Sequence, residues 1–322
     1  MERIIGSVLG HAIGSASGYP GKGEVREVLY QKPIKKYKDS GFLSRTTGCW
    51  AEDTALTLAT MDSFIDQGVF NGYDILDKFE DWRDSGEYTS RGNAFDVSDT
   101  MDQVLANYKS GKKPTECGIK EDDTTAIGRM LPLAIYNHYK KVDQKTLYQL
   151  VDKMASLTND NDLSKLGCYI YVNYIDRLLD GQEPKEAYKA IKSDDYSMIK
   201  PAVLKEYESV LIDDCRKANM DNIQTDEDDS TLTALKVAIW MSNDVQLFRI
   251  AVIASANLGG DTDTLSALAG SAFGADDNGV NKIPEDMRYG LVGNNYVEEL
   301  TKEYIAAVKT KKKTTTTSGK TK

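Results

Sequence analysis

Apolar residues recur along most of this chain at the spacing of one helix face. Leu147, Leu150, Val151 and Met154 fall at i, i+3, i+4 and i+7, and Ile75, Phe79 and Trp82 at i, i+4 and i+7. Met101, Val104, Leu105 and Tyr108 form another such stripe, Leu235, Ala238 and Ile239 a fourth just before Trp240, and Leu58, Met61 and Ile65 a fifth. Side chains three and four apart share a helix face, so these stripes predict helices that bury one side on a common core. An apolar helix is also expected over Leu265–Phe273. No segment alternates strictly between apolar and polar residues, and strands are not expected. Breaks fall at Asn71-Gly72, Ser110-Gly111, Asp180-Gly181 and Asn278-Gly279, and the seven prolines leave the helices room to run. No internal repeat or linker interrupts the pattern before the end, KKKTTTTSGKTK, which has nothing apolar to bury. The expectation is an all-α fold: a compact helical domain over residues 1–306, followed by a disordered basic Lys/Thr tail over 307–322.

Composition narrows the class. The 322 residues are 40% apolar, enough for a sizeable core. No run approaches the roughly 18 apolar residues of a spanning helix. The opening MERIIGSVLGHAIGS lacks a positive segment ahead of an apolar one and reads as mature structure, not as a secretory signal. A net charge of −10 argues against nucleic acid and anionic membranes as partners and favours solubility, with self-association left open at high concentration. Cys49, Cys117, Cys168 and Cys215 are scattered, as expected of reduced thiols in a cytoplasmic protein. Two histidines, His11 and His138, are too few to favour zinc chemistry.

The strongest chemical signal is Gly259-Gly260-Asp261-Thr262-Asp263-Thr264. Paired glycines permit a tight turn, after which two carboxylates and a hydroxyl open a helix. These are hard oxygen donors, suited to magnesium, manganese or calcium. A second acidic cluster, Trp50-Ala51-Glu52-Asp53-Thr54, opens another helix. Acids in a first turn also complement the helix dipole, so capping competes with metal binding as the reason for Glu52 and Asp53. Elsewhere the plain readings prevail. His11 is expected to be a core or helix-surface residue and His138 a solvated one. Trp50, Trp82 and Trp240 are placed on helical faces, and Glu121–Asp123 and Asp226–Asp229 in solvated loops. Gly6, Gly10 and Gly14 are read as allowing close helix packing in a soluble core. Lys311–Lys313 are read as part of the tail rather than a binding site.

These motifs together resemble the ADP-ribosylglycohydrolase family. Its most specific block is matched by NLGGDTDTLSALAGSAFGA and the following Asn281-Lys282-Ile283-Pro284. Trp50–Thr54 stands where the family has W-T-D-D-T, and GSVLGHAIGSASGYP where it has G-D-A-x-G and then Glu. Arg91-Gly92-Asn93-Ala94-Phe95-Asp96 resembles a glycine-containing loop with an F-D dipeptide, Arg129 and Pro132 an R-x-x-P pair, and Leu157-Thr158 the start of L-T-H. The resemblance runs from residue 1 to about 290 and implies a compact helical fold. It also implies a binuclear magnesium or manganese site that cleaves the glycosidic bond of an ADP-ribosyl group. Carried over by motif, Asp53, Asp261, Asp263 and Thr264 would be metal ligands and Glu52 another. Asp96 would sit beside the ribose as a vestigial catalytic group, and Gly92 near the phosphates.

The departures fall on the chemistry. Ala51 stands for a ligating threonine, Glu52 for an aspartate, His11 for the aspartate of G-D-A, and Gly18 for the glutamate that touches metal, with Glu24 a candidate substitute nearby. Thr124-Thr125, Gly128 and Asn159 replace an Asn-Gly pair, a methionine and a histidine. Within the family this pattern most resembles the J crystallins of jellyfish eyes. That resemblance implies a refractive structural protein of the lens cell, with magnesium or manganese held weakly if at all. The rival readings are a working metal-dependent ADP-ribosylglycohydrolase in which Glu52 and Glu24 compensate, and a module that binds ADP-ribose without cleaving it.

Overall fold

The computed structural model describes residues 1–35, 47–215, 223, 225, 226, 228–276 and 279–310. Helix α1 (Glu2–Gly18) is buried from Ile4 to its end. It is followed by α2 (Arg26–Gln31), α3 (Glu52–Gln67), α4 (Gly72–Ser85), α5 (Asp99–Lys109), α6 (Leu131–Lys140), α7 (Gln144–Ala155) and α8 (Asp162–Leu179). Short helices α9 (Pro184–Ile191), α10 (Pro201–Glu206) and α11 (Glu208–Leu211) lead to α12 (Thr231–Asp244), α13 (Phe248–Ser255) and α14 (Thr262–Gly274), and then to α15 (Glu285–Gly290) and α16 (Asn294–Lys309). Among the described residues there is no strand, only an isolated bridge between Ile119 and Asn159. The all-α expectation holds.

The seam that organises the molecule runs between α1 and α14. A methyl group built on Gly6, Gly10, Gly14 or Gly18 would lie 2.5, 2.2, 2.1 or 2.1 Å from the carbonyl oxygen of Gly274, Gly270, Ser266 or Thr262 respectively. The partner numbers fall as the α1 numbers rise, so the helices are antiparallel and in backbone contact at four successive turns. Gly270 and Gly274 return the constraint, since a Cβ on either would be 2.1 Å from the carbonyl of Gly10 or Gly6. Small residues at i and i+4 therefore serve close packing in a protein core, as the sequence implies. The antiparallel register also brings the start of α14 beside the end of α1.

Around this pair, α12 and α13 pack on α14, α16 joins α1 and α3, and α8 lies against α6, α7 and α12. Each apolar stripe read from the sequence lies in a helix: α7, α4, α5, α12 and α3 in the order first named. Ile75, Phe79, Trp82, Met101 and Met154 are fully buried, whereas Ile65 is half-buried and Phe64 takes the deeper place. Asn71-Gly72 starts α4 and does not merely turn the chain: the Asn71 side chain accepts from the Tyr73 backbone N–H at 3.2 Å. Trp50 precedes α3 rather than riding on it, and its buried ring closes on Gly293, whose added Cβ would meet it at 2.9 Å. Helix α16 continues to Lys309, past the expected boundary at 306. Asn278 and residues 311–322, including Lys311–Lys313, lie outside the described residues.

Candidate functional site

The N-termini of α3 and α14 meet at a cavity of about 550 Å³. Helix α3 brings Glu52 and Asp53, and the Gly259-Gly260 turn, with both glycines at positive φ, brings Asp261, Asp263 and Thr264. Added Cβ atoms at 259 and 260 would strike the Asp226 carboxylate at 1.8 Å and the Thr225 carbonyl at 2.0 Å, so these glycines are fixed by their neighbours as well as by their backbone angles. Nine of the described lining side chains are acids and one, Lys22, is basic.

Hydroxyl groups hold the acids in place. Ser15 Oγ, on α1, donates to Asp53 Oδ1 at 2.6 Å and accepts from the Ala51 backbone N–H at 2.9 Å. It thereby serves the start of α3, where Ala51 has no side-chain cap to offer. Ser98 caps α5 and also holds Glu52, its N–H reaching Oε2 at 2.7 Å and its hydroxyl Oε1 at 2.8 Å. Thr124 donates to Asp261 Oδ2. Asp53 Oδ2 and Asp263 Oδ1 are buried with no hydrogen-bond partner.

Lys22 enters from the turn after α1. Its Nζ lies 2.6 Å from Asp96 Oδ2, 3.0 Å from Asp263 Oδ2 and 3.6 Å from Asp261 Oδ1. Burial alone would lower the pKa of this ammonium, but Asp263, Asp261 and Asp96 together hold it well above the ordinary lysine value. Burial pushes Glu52 up to about 8 and Asp53 up to about 7, outweighing their hydrogen bonds. Asp263 is raised well above the usual carboxylate range, first by burial and then by Asp261. For Asp261 burial also acts upward, yet Lys22 and the neighbouring hydrogen bonds bring the net shift below the usual value.

The structure thus gathers Glu52, Asp53, Asp261, Asp263 and Thr264 at one cavity, with Asp96 at its edge in the Lys22 ion pair. Gly92 stands apart: it is exposed, at φ +75°, and does not line the cavity. Glu24 is exposed and is no substitute for the missing glutamate. Position 18 has no room for one either, because a Cβ there would lie 2.1 Å from the Thr262 carbonyl. Lys22, Ser15 and Ser98 escape a reading of the sequence, and Thr124 stands out there only as a departure from an Asn-Gly pair. A lysine flanked by glycines looks like solvated loop, and isolated hydroxyls carry no motif.

Other plain readings change as well. Asp226 and Asp228 line the cavity, where Asp226 Oδ1 accepts from the Arg26 N–H at 2.8 Å and Asp228 from the Ser230 N–H at 3.0 Å. Asp123 accepts from Thr100 at 2.5 Å and Asn159 at 2.9 Å, and Asp122 from Ser164 at 2.6 Å, so these two are tied down, while Glu121 is exposed as expected. His11 is a core residue. Its Nε2 lies 2.8 Å from the Gly128 carbonyl and its Nδ1 2.9 Å from Thr54 Oγ1. Nε2 therefore carries the proton and Nδ1 accepts from the threonine, and burial pushes the pKa down to about 4.

The donors at the cavity have the right chemistry for a hard divalent ion, oxygen throughout. Their arrangement does not fit one. Among the described residues, three ligand atoms from acidic, histidine or cysteine side chains come within 4.8 Å of one another at His138, Asp176 and Asp180, and not here. That distant group is not the solvated histidine the sequence implies, and it already has a cation, since Lys141 Nζ is 2.9 Å from Asp176 and 2.6 Å from Asp180. In the cavity both Glu52 oxygens are engaged by Ser98, and the Lys22 ammonium lies against Asp261 and Asp263.

The sequence profile described as ADP-ribosylglycohydrolase matches residues 1–314. An ADP-ribosylarginine hydrolase Tri1 of Pseudomonas putida (strain GB-1) is 23% identical over 313 residues, covering 94% of this chain and 78% of that one. The ADP-ribosyl-[dinitrogen reductase] glycohydrolase of Rhodospirillum rubrum is 25% identical over 292 residues, covering 88% of each. A solved structure titled ADP-ribosylglycohydrolase-related protein complex superposes with a TM-score of 0.78 over 96% of this chain and 98% of the other. At 20% identity that last likeness is one of fold. The chain belongs to the ADP-ribosylglycohydrolase family.

Proposed function

We propose that the cavity between α3 and α14 takes an ADP-ribosyl group attached to a protein side chain and hydrolyses its glycosidic bond, with arginine the first acceptor to test. The observation that carries this reading is Asp53, a cavity-lining carboxylate with one buried, unpartnered oxygen and a pKa near 7. A group so poised can take a proton from water or return one to a leaving group near neutral pH. Ser15 fixes its other oxygen, so the free one is held in a single direction. The names of the Pseudomonas and Rhodospirillum relatives support the substrate class. Glu52, Asp261, Asp263 and Thr264 are the further residues of the proposed site, with Asp96 beside the bound ribose.

A second reading is that the scaffold serves without turnover, as a binding module or as a refractive protein of the crystallin kind. Its support is the loss of chemistry at the site: Ala51 has no hydroxyl, and position 18 cannot accommodate a carboxylate. Neither relative named above is a lens protein, and the hydrolase reading stands first.

The test is release of free ADP-ribose from arginine- and serine-linked substrates, with magnesium, with manganese and with chelator, beside an active relative. Release that Asp53→Asn abolishes supports hydrolysis. No release in any of these conditions sinks it and leaves the non-catalytic reading.

A further inference from the structure

The cavity holds an internal cation where the family resemblance implies metal. We infer that the Lys22 ammonium is the resident cation of this site and takes the place of a divalent ion among Asp96, Asp261 and Asp263. The three carboxylates come from two separate parts of the chain, the loop between α4 and α5 and the first turn of α14. Lys22 Nζ lies 2.6, 3.6 and 3.0 Å from them. The first and last are hydrogen bonds from the ammonium, and the 3.6 Å contact with Asp261 is an ion pair without one. A hard divalent ion draws its ligands in to about 2.0–2.6 Å. Drawing them in would put that ion on or beside Nζ, and like charges that close repel strongly in a partly buried site.

A second observation concerns position 18, where the family resemblance implies a carboxylate. Gly18 leaves no carboxylate at the end of α1, and the Thr262 carbonyl leaves no space for one. Against that expectation, this chain has no acid at 18 and an ammonium at 22, four residues on. Lys22 is also built in. It follows a short helical turn, Tyr19–Gly21, beginning one residue after the seam with α14 ends, and its own N–H donates to the Tyr19 carbonyl at 3.1 Å. The next residue, Gly23, donates its N–H to the Gly260 carbonyl at 2.9 Å. That bond ties the base of the lysine to the same turn that carries Asp261. With the backbone of the next residue bonded to the Gly260 turn and the ammonium hydrogen-bonded to Asp96 and Asp263, the lysine cannot drift out without breaking several contacts.

The inference concerns occupancy and does not depend on turnover. Manganese binding to the full chain, followed by the electron spin resonance of the free ion, tests it directly. Wild type is expected to bind no manganese at the cavity below about millimolar concentration, and Lys22→Met to bind one ion at least about tenfold more tightly. Magnesium should also raise the melting temperature of Lys22→Met more than that of wild type, since an ion bound only by the folded state stabilises it. Lys22→Arg, which keeps the charge, should stay as poor in metal as wild type. Two manganese ions bound by wild type at micromolar concentration would overturn the inference. So would a Lys22→Met protein that loses stability without gaining affinity, which is what a merely structural salt bridge predicts. If Lys22→Met does not fold, the wild-type titration and Lys22→Arg still decide the matter. Failure to release ADP-ribose bears on the proposed hydrolase function and leaves this inference standing.

Discussion

The two ends of the α1–α14 pair show how differently a fold holds its parts. Along the seam, backbone meets backbone, and Gly10, Gly14 and Gly18 face carbonyls 2.1–2.2 Å from where a methyl would sit. At the cavity just beyond, where α1 ends and α14 begins, side chains are held by charge and hydroxyl groups. Serine at 15 serves the turn that Ala51 leaves uncapped, and Lys22 supplies charge where an ion is expected. Contact at van der Waals distance admits no substitute atom. An electrostatic contact admits any group of the right sign that reaches. The scaffold can therefore persist while the chemistry at its end is replaced piece by piece.

The largest effect that would break this contrast is a side chain in the seam. Gly14→Ala should destabilise by about 3 kcal/mol or more, because backbone on both sides has to move. Gly18→Glu, which would place the carboxylate that the family resemblance implies, should be at least as damaging and should not bring metal binding. Urea unfolding of both variants checks this. A stable Gly18→Glu protein would mean that the end of the seam opens freely and that cavity and seam are one plastic region.

A smaller effect separates the two regions by pH. His11 ties the seam to Thr54 and Gly128, and burial holds it neutral down to about pH 4, against an ordinary value of 6.5. Between those values the unfolded chain binds a proton that the folded protein does not. This contribution to stability is thus complete above pH 6.5 and is lost as pH falls towards 4, at no more than about 1.4 kcal/mol per pH unit. Glu52 runs the other way. Its folded-state pKa of about 8 makes the native protein bind the extra proton, so its contribution weakens as pH rises from about 4.5 to 8. In urea titrations from pH 4.5 to 7.5, His11→Asn should lose the first dependence and keep the second. The stability gap between wild type and variant should narrow on acidification; a gap independent of pH would place His11 outside the linkage.

How much of this was legible follows the same division. Helical period located α3, α4, α5, α7 and α12, because burial on one face is a local property of spacing. The small-residue pattern at 6, 10 and 14 foretold the close packing, and the two acidic motifs foretold Glu52, Asp53, Asp261 and Asp263 at helix starts. What the sequence could not reveal is which distant groups they meet. Ser15 is 38 residues from Asp53 and Lys22 is 241 from Asp263, and neither residue type is rare enough to mark its role. The same blindness made Glu24 look like a replacement for a lost acid, whereas the chain turns it to solvent and sends Lys22 inward. Asp228 and Asp123 looked like loop charge for the same reason.

The smallest predicted effect isolates backbone conformation from contact. Gly86 and Gly92 both sit at φ +75° on the segment that leads to Asp96, so alanine incurs the same left-handed strain at each, about 1 kcal/mol. Their surroundings differ. A Cβ on Gly86 would lie 2.2 Å from the Gly92 carbonyl, while one on Gly92 would meet nothing within 4 Å. Gly92→Ala should therefore lose about 1 kcal/mol and no more, and Gly86→Ala clearly more, the difference being the cost of contact alone. Thermal or urea unfolding of the two variants reads that difference. If Gly92→Ala instead proves as damaging as Gly86→Ala, the loop carries a constraint beyond its own backbone. A ligand-binding role for Gly92 predicts something else: near-normal stability with weakened ADP-ribose binding. Comparing the stability of the pair with the affinity of Gly92→Ala separates a residue kept for the fold from one kept for what the fold receives.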